Sequence, residues 1–251
     1  MLLHSLRHTL QACKSALPSH CAVCKAWPSG AVCTPCLARF ASPVPRCRTC
    51  ALELTPFGSQ GVSLDQCPDC RQRGSRLEAC HAALTYAYPW AGLISRYKFS
   101  SDTGWTEFFA ERLLRLPAAR DLLGSLTLQD RLMPMPLATD RLRERGFNQA
   151  WEIAKALHAA SRCRARLDPS LLLRVRSTRP QSQLKRQERL DNVKGAFAVE
   201  PLRADELRGV RVVLVDDVMT SGASLFSAAE ALRQAGAGRV DALVLARTPP
   251  G

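Results

Sequence analysis

A chain of 251 residues, 46% hydrophobic and 23% charged, has the length and composition of one medium globular domain with a small companion. No apolar run approaches the ~20 residues that span a bilayer, and the leucines between Met1 and Cys13 are broken by His4, Arg7 and His8 with no small-residue cleavage site, which argues against a membrane anchor or a secretory signal. The net charge of +13 is unevenly spread: residues 141–189 hold 13 Lys or Arg against 4 Asp or Glu, a surface suited to the phosphates of a nucleotide or a nucleic acid.

In chain order, residues 1–16 predict a short amphipathic helix. Residues 17–80 are rich in Cys, Pro and Gly, cannot build a core alone and need staples. From His81 to Gly251 strands alternate with helices. Strands are expected over Ala82–Tyr88, Leu128–Met135, Leu171–Val175, Ala196–Val199, from Val212, and over Val240–Ala246. Helices are expected over Pro89–Phe99, Trp105–Leu116 and Arg145–Ala160, and again after Ser224, where Leu225, Ala229 and Leu232 share a face before Gly236. Gln181–Asn192 is polar and basic, without an apolar face. Such alternation predicts an α/β domain: a parallel sheet with helices on both faces.

Eleven cysteines in a chain read as cytoplasmic argue against a disulfide framework. Eight of them form four Cys-x-x-Cys pairs: Cys21/Cys24, Cys33/Cys36, Cys47/Cys50 and Cys67/Cys70. Each pair puts two sulfurs on one tight loop, and two pairs supply the four thiolates that Zn²⁺ prefers. Taken in order, Cys21, Cys24, Cys33 and Cys36 hold one structural zinc, and Cys47, Cys50, Cys67 and Cys70 the other. Crossed pairing and an iron–sulfur cluster stay open on spacing alone. A full thiolate set leaves no open position for catalysis. Cys13, Cys80 and Cys163 read as small buried hydrophobes.

The run from Val212 to Leu225 carries the most specific chemistry. Val212-Val-Leu-Val215 reads as a strand buried on both faces. Asp216 and Asp217 close it, and Val218, Met219 and the small-residue loop Thr220, Ser221, Gly222, Ala223 and Ser224 lead into the helix. The loop's N–H groups and the helix's positive end suit a phosphate, and the ionised acids accept hydrogen bonds from ribose hydroxyls. Pro134 and Pro136, flanking Met135, stand at the carboxyl end of a predicted strand, where open α/β sheets bind ligands. Arg145 and Asn148 can donate to phosphate oxygens. Lys98, near the end of an apolar-aromatic stretch, is a third candidate for phosphate. Phe147 and Trp151, four residues apart, are expected in the core.

The Val212–Leu225 run is similar to the 5-phosphoribosyl-1-pyrophosphate (PRPP) motif of the type I phosphoribosyltransferases. The chain as a whole resembles the ComF family of bacterial proteins, which join an N-terminal double zinc ribbon to a phosphoribosyltransferase-like domain. The resemblance is carried by Leu17-Pro-x-x-Cys21 with the knuckles, by Tyr88-Pro-x-x-Gly92-Leu-Ile-x-x-Tyr-Lys98-Phe, by Met133-Pro-Met-Pro-Leu137 with Arg141-x-x-x-Arg145-Gly-Phe-Asn-Gln149, and by Arg176-x-Thr178-x-x-Gln181-x-x-Leu184 with Arg189, Asn192 and Phe197. It implies domains at 17–80 and 81–251, a pyrophosphate loop at Met135–Arg141, and a flexible lid over 176–193 that includes Arg176, Thr178, Gln181 and Arg189. It also implies Mg²⁺ bound with PRPP, Asp216 and Asp217 as catalytic acids, and a role in competence for DNA uptake.

Two functions follow from the resemblance. In one, the protein binds PRPP and handles single-stranded DNA beside other DNA-uptake proteins. In the other, it is an enzyme that transfers phosphoribosyl to an unidentified base or amine. No residue set reads as a nucleobase pocket, and the absence of a Cys at a mature N-terminus weakens a glutamine amidotransferase reading.

Overall fold

In the computed structural model, which describes residues 19–54, 65–73, 77–99, 103–176 and 195–249, the apolar run at Val212 becomes the central strand of a five-stranded sheet. The strands are β1 (Cys80–Thr85), β2 (Arg131–Pro134), β3 (Arg166–Leu167), β6 (Arg211–Met219) and β7 (Arg239–Arg247), in spatial order β1-β7-β6-β2-β3. Every pairing is parallel, with Val213 of β6 beside Leu132 and Asp241, and Asp216 beside Val244. A separate antiparallel pair, β4 (Leu172–Arg174) with β5 (Phe197–Val199), stands outside this sheet.

Strand alternation serves two layers. Val212, Leu214, Val240, Ala242 and Val244 belong to one core cluster, together with Cys47, Cys50 and Cys67 and with Leu225, Ala228, Ala229 and Leu232 of a helix over Ala223–Gln234. Their neighbours Val213, Val215, Leu243 and Leu245 are equally buried and, by alternation, face the opposite layer.

The helices in chain order are α1 (Thr34–Phe40), α2 (Pro68–Arg73), α3 (Trp90–Phe99), α4 (Thr106–Leu114), α5 (Pro117–Gly124), α6 (Thr139–Arg145), α7 (Gln149–Ser161) and α8 (Ala223–Gln234). Short 3-10 turns cover Thr103–Trp105 and Pro201–Leu207. Helix α5, which opens on Pro117, and the turn at Pro201 stand where no element was expected. The helix expected over Arg145–Ala160 starts four residues later, as α7, and a separate helix, α6, precedes it. Gly146 ends α6 at φ 77, and Asn148 caps α7 by accepting from Ala150 N at 3.0 Å and Trp151 N at 3.4 Å. None of the helices among the described residues is long and apolar enough to cross a membrane. The helix expected over 1–16 lies outside the described residues.

The chain divides into two units, 1–43 and 44–251, with the boundary between the second and third Cys-x-x-Cys pairs. In the first, Ser19 and Ser29 bridge the ends of the Cys21–Cys24 turn, and α1 carries Cys36 on its buried side. In the second, the amino ends of the strands are closed by ion pairs. Arg211 and Arg239 hold the fully buried Asp241 at 3.0 and 2.8 Å, and Arg131 pairs with Glu206 at 3.3 Å. The carboxyl ends carry the cleft.

Candidate functional site

At the carboxyl edge of the sheet a cleft is lined by Met135, Pro136 and Leu137 after β2, by Arg145, Asn148, Gln149 and Ala150 at the α6–α7 junction, by Arg174 of β4, and by Asp216, Asp217 and Ser224. Strand β6 runs on to Met219, so the two acids lie inside its last turn of pleat and do not terminate it. This corrects the expectation that they close the strand, and Asp217 is only 8% exposed. The ladder continues because β7 pairs with β6 as far as Met219–Arg247, which lends the acidic segment hydrogen-bond partners.

Adjacent strand residues point to opposite faces, and the acids meet different neighbours. Lys98 Nζ, at the end of α3, lies 3.0 Å from Asp217 Oδ1, with both side chains largely buried. Asp216 Oδ1 accepts from Asp217 N at 2.8 Å. Burial, and then the charge of Asp217, push the Asp216 carboxyl up to about 7; Lys98 and Arg174 oppose that shift. The pair thus sets a carboxylate side chain bridged to Lys98 beside a carboxyl that gains or loses a proton near neutrality.

The loop after β2 is pinned from both sides. Met135 N donates to Val215 O at 2.8 Å, and Asn148 Nδ2 donates to Met135 O at 3.0 Å. Asn148, expected as a phosphate donor, spends its oxygen on capping α7 and its amide on this loop. Its role here is to position. Arg145 donates to Gln149 Oε1 at 2.9 Å and stacks over Phe99, 5.1 Å from the ring centre. Its Nε is buried without a hydrogen-bond partner. A phosphate oxygen would satisfy that donor. Phe147 packs edge-on to Tyr97 at 5.7 Å, whereas Trp151 is half-buried beneath Lys155.

The small-residue loop turns on Gly222, the N-cap of α8, at φ 83. A Cβ there would lie 2.5 Å from Met219 Cε and 2.7 Å from Phe226 Cε2. Both the backbone sign and the packing demand glycine. Ser221 Oγ accepts from Ala223 N at 3.3 Å.

Of the residues expected around PRPP, Met135, Pro136, Arg145, Asp216, Asp217 and Ser224 line this one cleft. Lys98 stands against Asp217, Pro134 is buried in β2, and Val218–Ala223 form the chain between the acids and Ser224. Arg176 is exposed at the end of the segment after β4, and Thr178, Gln181 and Arg189 lie outside the described residues. Arg174 was not anticipated. It reaches the cleft from the β4–β5 pair, stacked over Phe197 at 5.5 Å, and burial lowers its pKa against the pull of Asp216. Its signal in the sequence was a single cation in an otherwise apolar short strand.

The cysteines gather in the order the spacing suggests. The sulfurs of Cys21, Cys24, Cys33 and Cys36 lie within 4.8 Å of one another, as do those of Cys47, Cys50, Cys67 and Cys70, which removes crossed pairing. A tetrahedral ion with Zn–S bonds of about 2.3 Å needs sulfurs about 3.8 Å apart. Cys24 and Cys33 stand at 3.6 Å, and Cys50 and Cys67 at 3.7 Å. Donor type, number and spacing fit zinc at both clusters. Hydrogen bonds from Cys50 and Cys70 hold the Cys47 thiol far below the usual range. Cys80, by contrast, is raised by burial and rests against Met219 Sδ at 3.7 Å; Cys163 is also buried. Cys13 lies outside the described residues.

A sequence profile for the phosphoribosyl transferase domain matches residues 155–251, from α7 through the acid pair to the end of the chain. With the parallel sheet, this establishes a phosphoribosyltransferase-type domain. Competence protein F of Haemophilus influenzae is 32% identical over 86% of this chain and 90% of its own. The DNA utilization protein YhgH of Salmonella typhi is 28% identical over 92% and 98%, and competence protein ComFC of Bacillus subtilis 29% identical over 72% of each. Identity at this level over most of the chain means that the chain belongs to the ComF family.

Proposed function

We propose that the cleft binds PRPP as its Mg²⁺ complex and that the protein acts in DNA uptake, handling single-stranded DNA in the cytoplasm. The observation that carries the first half is the meeting of Asp216, Asp217 and the glycine-turned loop with Arg145 at one sheet edge. Asp216 and Asp217 accept from the ribose hydroxyls. The N–H groups of Thr220–Ser224, at the start of α8, take the 5-phosphate. The loop at Met135–Leu137 and the buried Nε of Arg145 take the pyrophosphate. Lys98 pairs with Asp217 and balances the charge of a dense anionic ligand. Magnesium, carried on the pyrophosphate, neutralises the leaving group when bound.

The second half rests on kinship and charge. The relatives are named for competence and DNA utilization, and +13 on a chain of 251 residues favours a polyanionic partner. Arg162 and Arg164 are exposed on the turn after α7; Arg141 and Arg166, however, pair with Glu144 and Glu206 at 2.9 and 3.6 Å, which reduces the free charge of that surface. Two zinc ions in the cysteine clusters and other DNA-uptake proteins complete the expected partners. A second reading, phosphoribosyl transfer to a base or amine, is supported by the acid pair, whose negative charge would stabilise positive charge developing at ribose C1. Calorimetric titration with PRPP–Mg²⁺, followed by pyrophosphate release measured against bases, amines and single-stranded DNA, tests both. Saturable heat without turnover supports a binding protein, turnover with one acceptor supports the enzyme, and no heat at millimolar PRPP refutes the ligand.

A further inference from the structure

Arg247, the last residue of β7, is 7% exposed, and its guanidinium joins two regions that the sequence keeps far apart. Its Nε donates to the carbonyl of Cys50, in the third cysteine pair, at 2.8 Å. Its Nη1 donates to the carbonyls of Met219 at 3.1 Å, of Thr248 at 2.9 Å, and of Thr220. Met219 and Thr220 lead into the small-residue loop, and Met219 Cε fills the space under Gly222. Thr248 N donates to Met219 O at 3.0 Å, so the same corner is bound from β7's backbone as well. A second arginine repeats the arrangement on the other flank of the cluster. Arg46 donates to Ala51 O at 3.2 Å and to Thr85 Oγ1, at the end of β1, at 2.9 Å.

Arg46 is half-buried and has the Glu53 carboxylate beside it; the more deeply buried Arg247 guanidinium also needs negative charge nearby. Four thiolates around a divalent ion carry a net charge of −2 and supply it. Only a planar fork reaches the knuckle carbonyl and the loop carbonyls together; the ammonium of a lysine cannot span both.

We propose that Arg247 is a positioning residue that braces the candidate phosphate loop against the second cysteine cluster, so that metal at this cluster, and not at the first, sets the shape of the loop. The effect on PRPP rests on the reading above; the bracing itself does not. Hydrogen–deuterium exchange needs no PRPP and reads the bracing directly, over peptides spanning Asp217–Phe226. These hold the last β6 ladder amides and the first turn of α8. Arg247→Lys, with zinc content unchanged, is expected to raise exchange there by roughly tenfold, as for the loss of hydrogen bonds to a charged group, while peptides within Val240–Leu245 stay protected. Cys67→Ser should raise it at least as much, and Cys33→Ser should leave it at the wild-type rate. Unchanged exchange in Arg247→Lys overturns the proposal. So does an equal rise in Cys33→Ser. A PRPP–Mg²⁺ titration of Arg247→Lys is expected to show affinity lowered by about tenfold. If wild type itself fails to bind PRPP, the ligand reading falls while the exchange result still decides the bracing.

Discussion

The two cysteine clusters share one motif and one sulfur geometry but differ in surroundings. The first is built on residues 21–36, with Cys24 exposed and Cys33 half-exposed. In the second, Cys47, Cys50 and Cys67 are each less than 5% exposed and belong to the same core as β6, β7 and α8. A Cys-x-x-Cys pair therefore does not by itself define a separable zinc module. The elements packed against the knuckle decide whether the metal staples a small unit or forms part of a large one. Here the second cluster is continuous with the sheet that presents the acids, and its Cys50 backbone is bonded to the residue that holds the loop.

The largest expected effect separates the clusters directly. Structural zinc binding is worth on the order of 10 kcal/mol, comparable to the whole stability of a domain. Cys67→Ser should therefore abolish the cooperative thermal unfolding of the phosphoribosyltransferase-type domain. Cys33→Ser should lower zinc from two ions per chain to one and leave that transition in place. Elemental analysis with calorimetric melting checks both, and iron with a visible charge-transfer band would replace zinc in the account.

An intermediate effect probes the loop without touching either cluster. Gly222→Val places a β-branched side chain at φ 83 and against Met219 and Phe226. PRPP–Mg²⁺ affinity should fall by more than tenfold, roughly 1.4 kcal/mol or more, with both zinc ions retained. If one zinc is lost as well, the loop and the second cluster are coupled more tightly than the arginine brace requires.

A smaller effect concerns Asp216. Its carboxyl is raised from 3.8 to about 7 by burial first and the charge of Asp217 second. A raised carboxyl favours the fold below its unfolded value, and that contribution is lost as pH rises through the folded value. Above pH 7 the buried charge costs stability. Asp216→Asn should melt higher than wild type at pH 8, and the difference should vanish near pH 4. A lower melting point at pH 8 would mean that the ionised acid is stabilised where it stands. The smallest effect lies on the basic surface. Single-stranded DNA affinity should fall steeply between low and moderate salt, with little sequence preference, and a flat salt response would remove the counterion-release account.

Much of this was legible in the chain because it depends on local chemistry. Continuous apolar runs located β6 and β7, and the simplest pairing of the eight cysteines, in chain order, is the one the sulfurs adopt. The boundaries that slipped were decided by neighbours. Strand β6 extends through Asp216 and Asp217 because β7 offers ladder partners that far, which no local signal records. The single helix read from Arg145 to Ala160 overlooked Gly146 as a stop and Asn148 as a cap, although both residue types announce those roles. Arg174 and Arg247 escaped notice for a different reason. Each is an arginine that ends an apolar stretch of its strand, and its value comes from what lies opposite: Asp216 across the cleft in one case, a cysteine knuckle nearly two hundred positions earlier in the other.

The two acids are the core of the proposed PRPP site. Calorimetric titration of wild type and of Asp216→Asn with Asp217→Asn against PRPP–Mg²⁺ tests it most directly, with melting curves to establish that the variant is folded. Charged hydrogen bonds lost to the ribose cost about 1.5–3 kcal/mol each, or roughly ten- to a hundredfold in affinity. Saturable binding by wild type and a loss of that size in the folded variant is the predicted result. Wild type that gives no heat at millimolar PRPP, or a variant that binds as tightly as wild type, would contradict it.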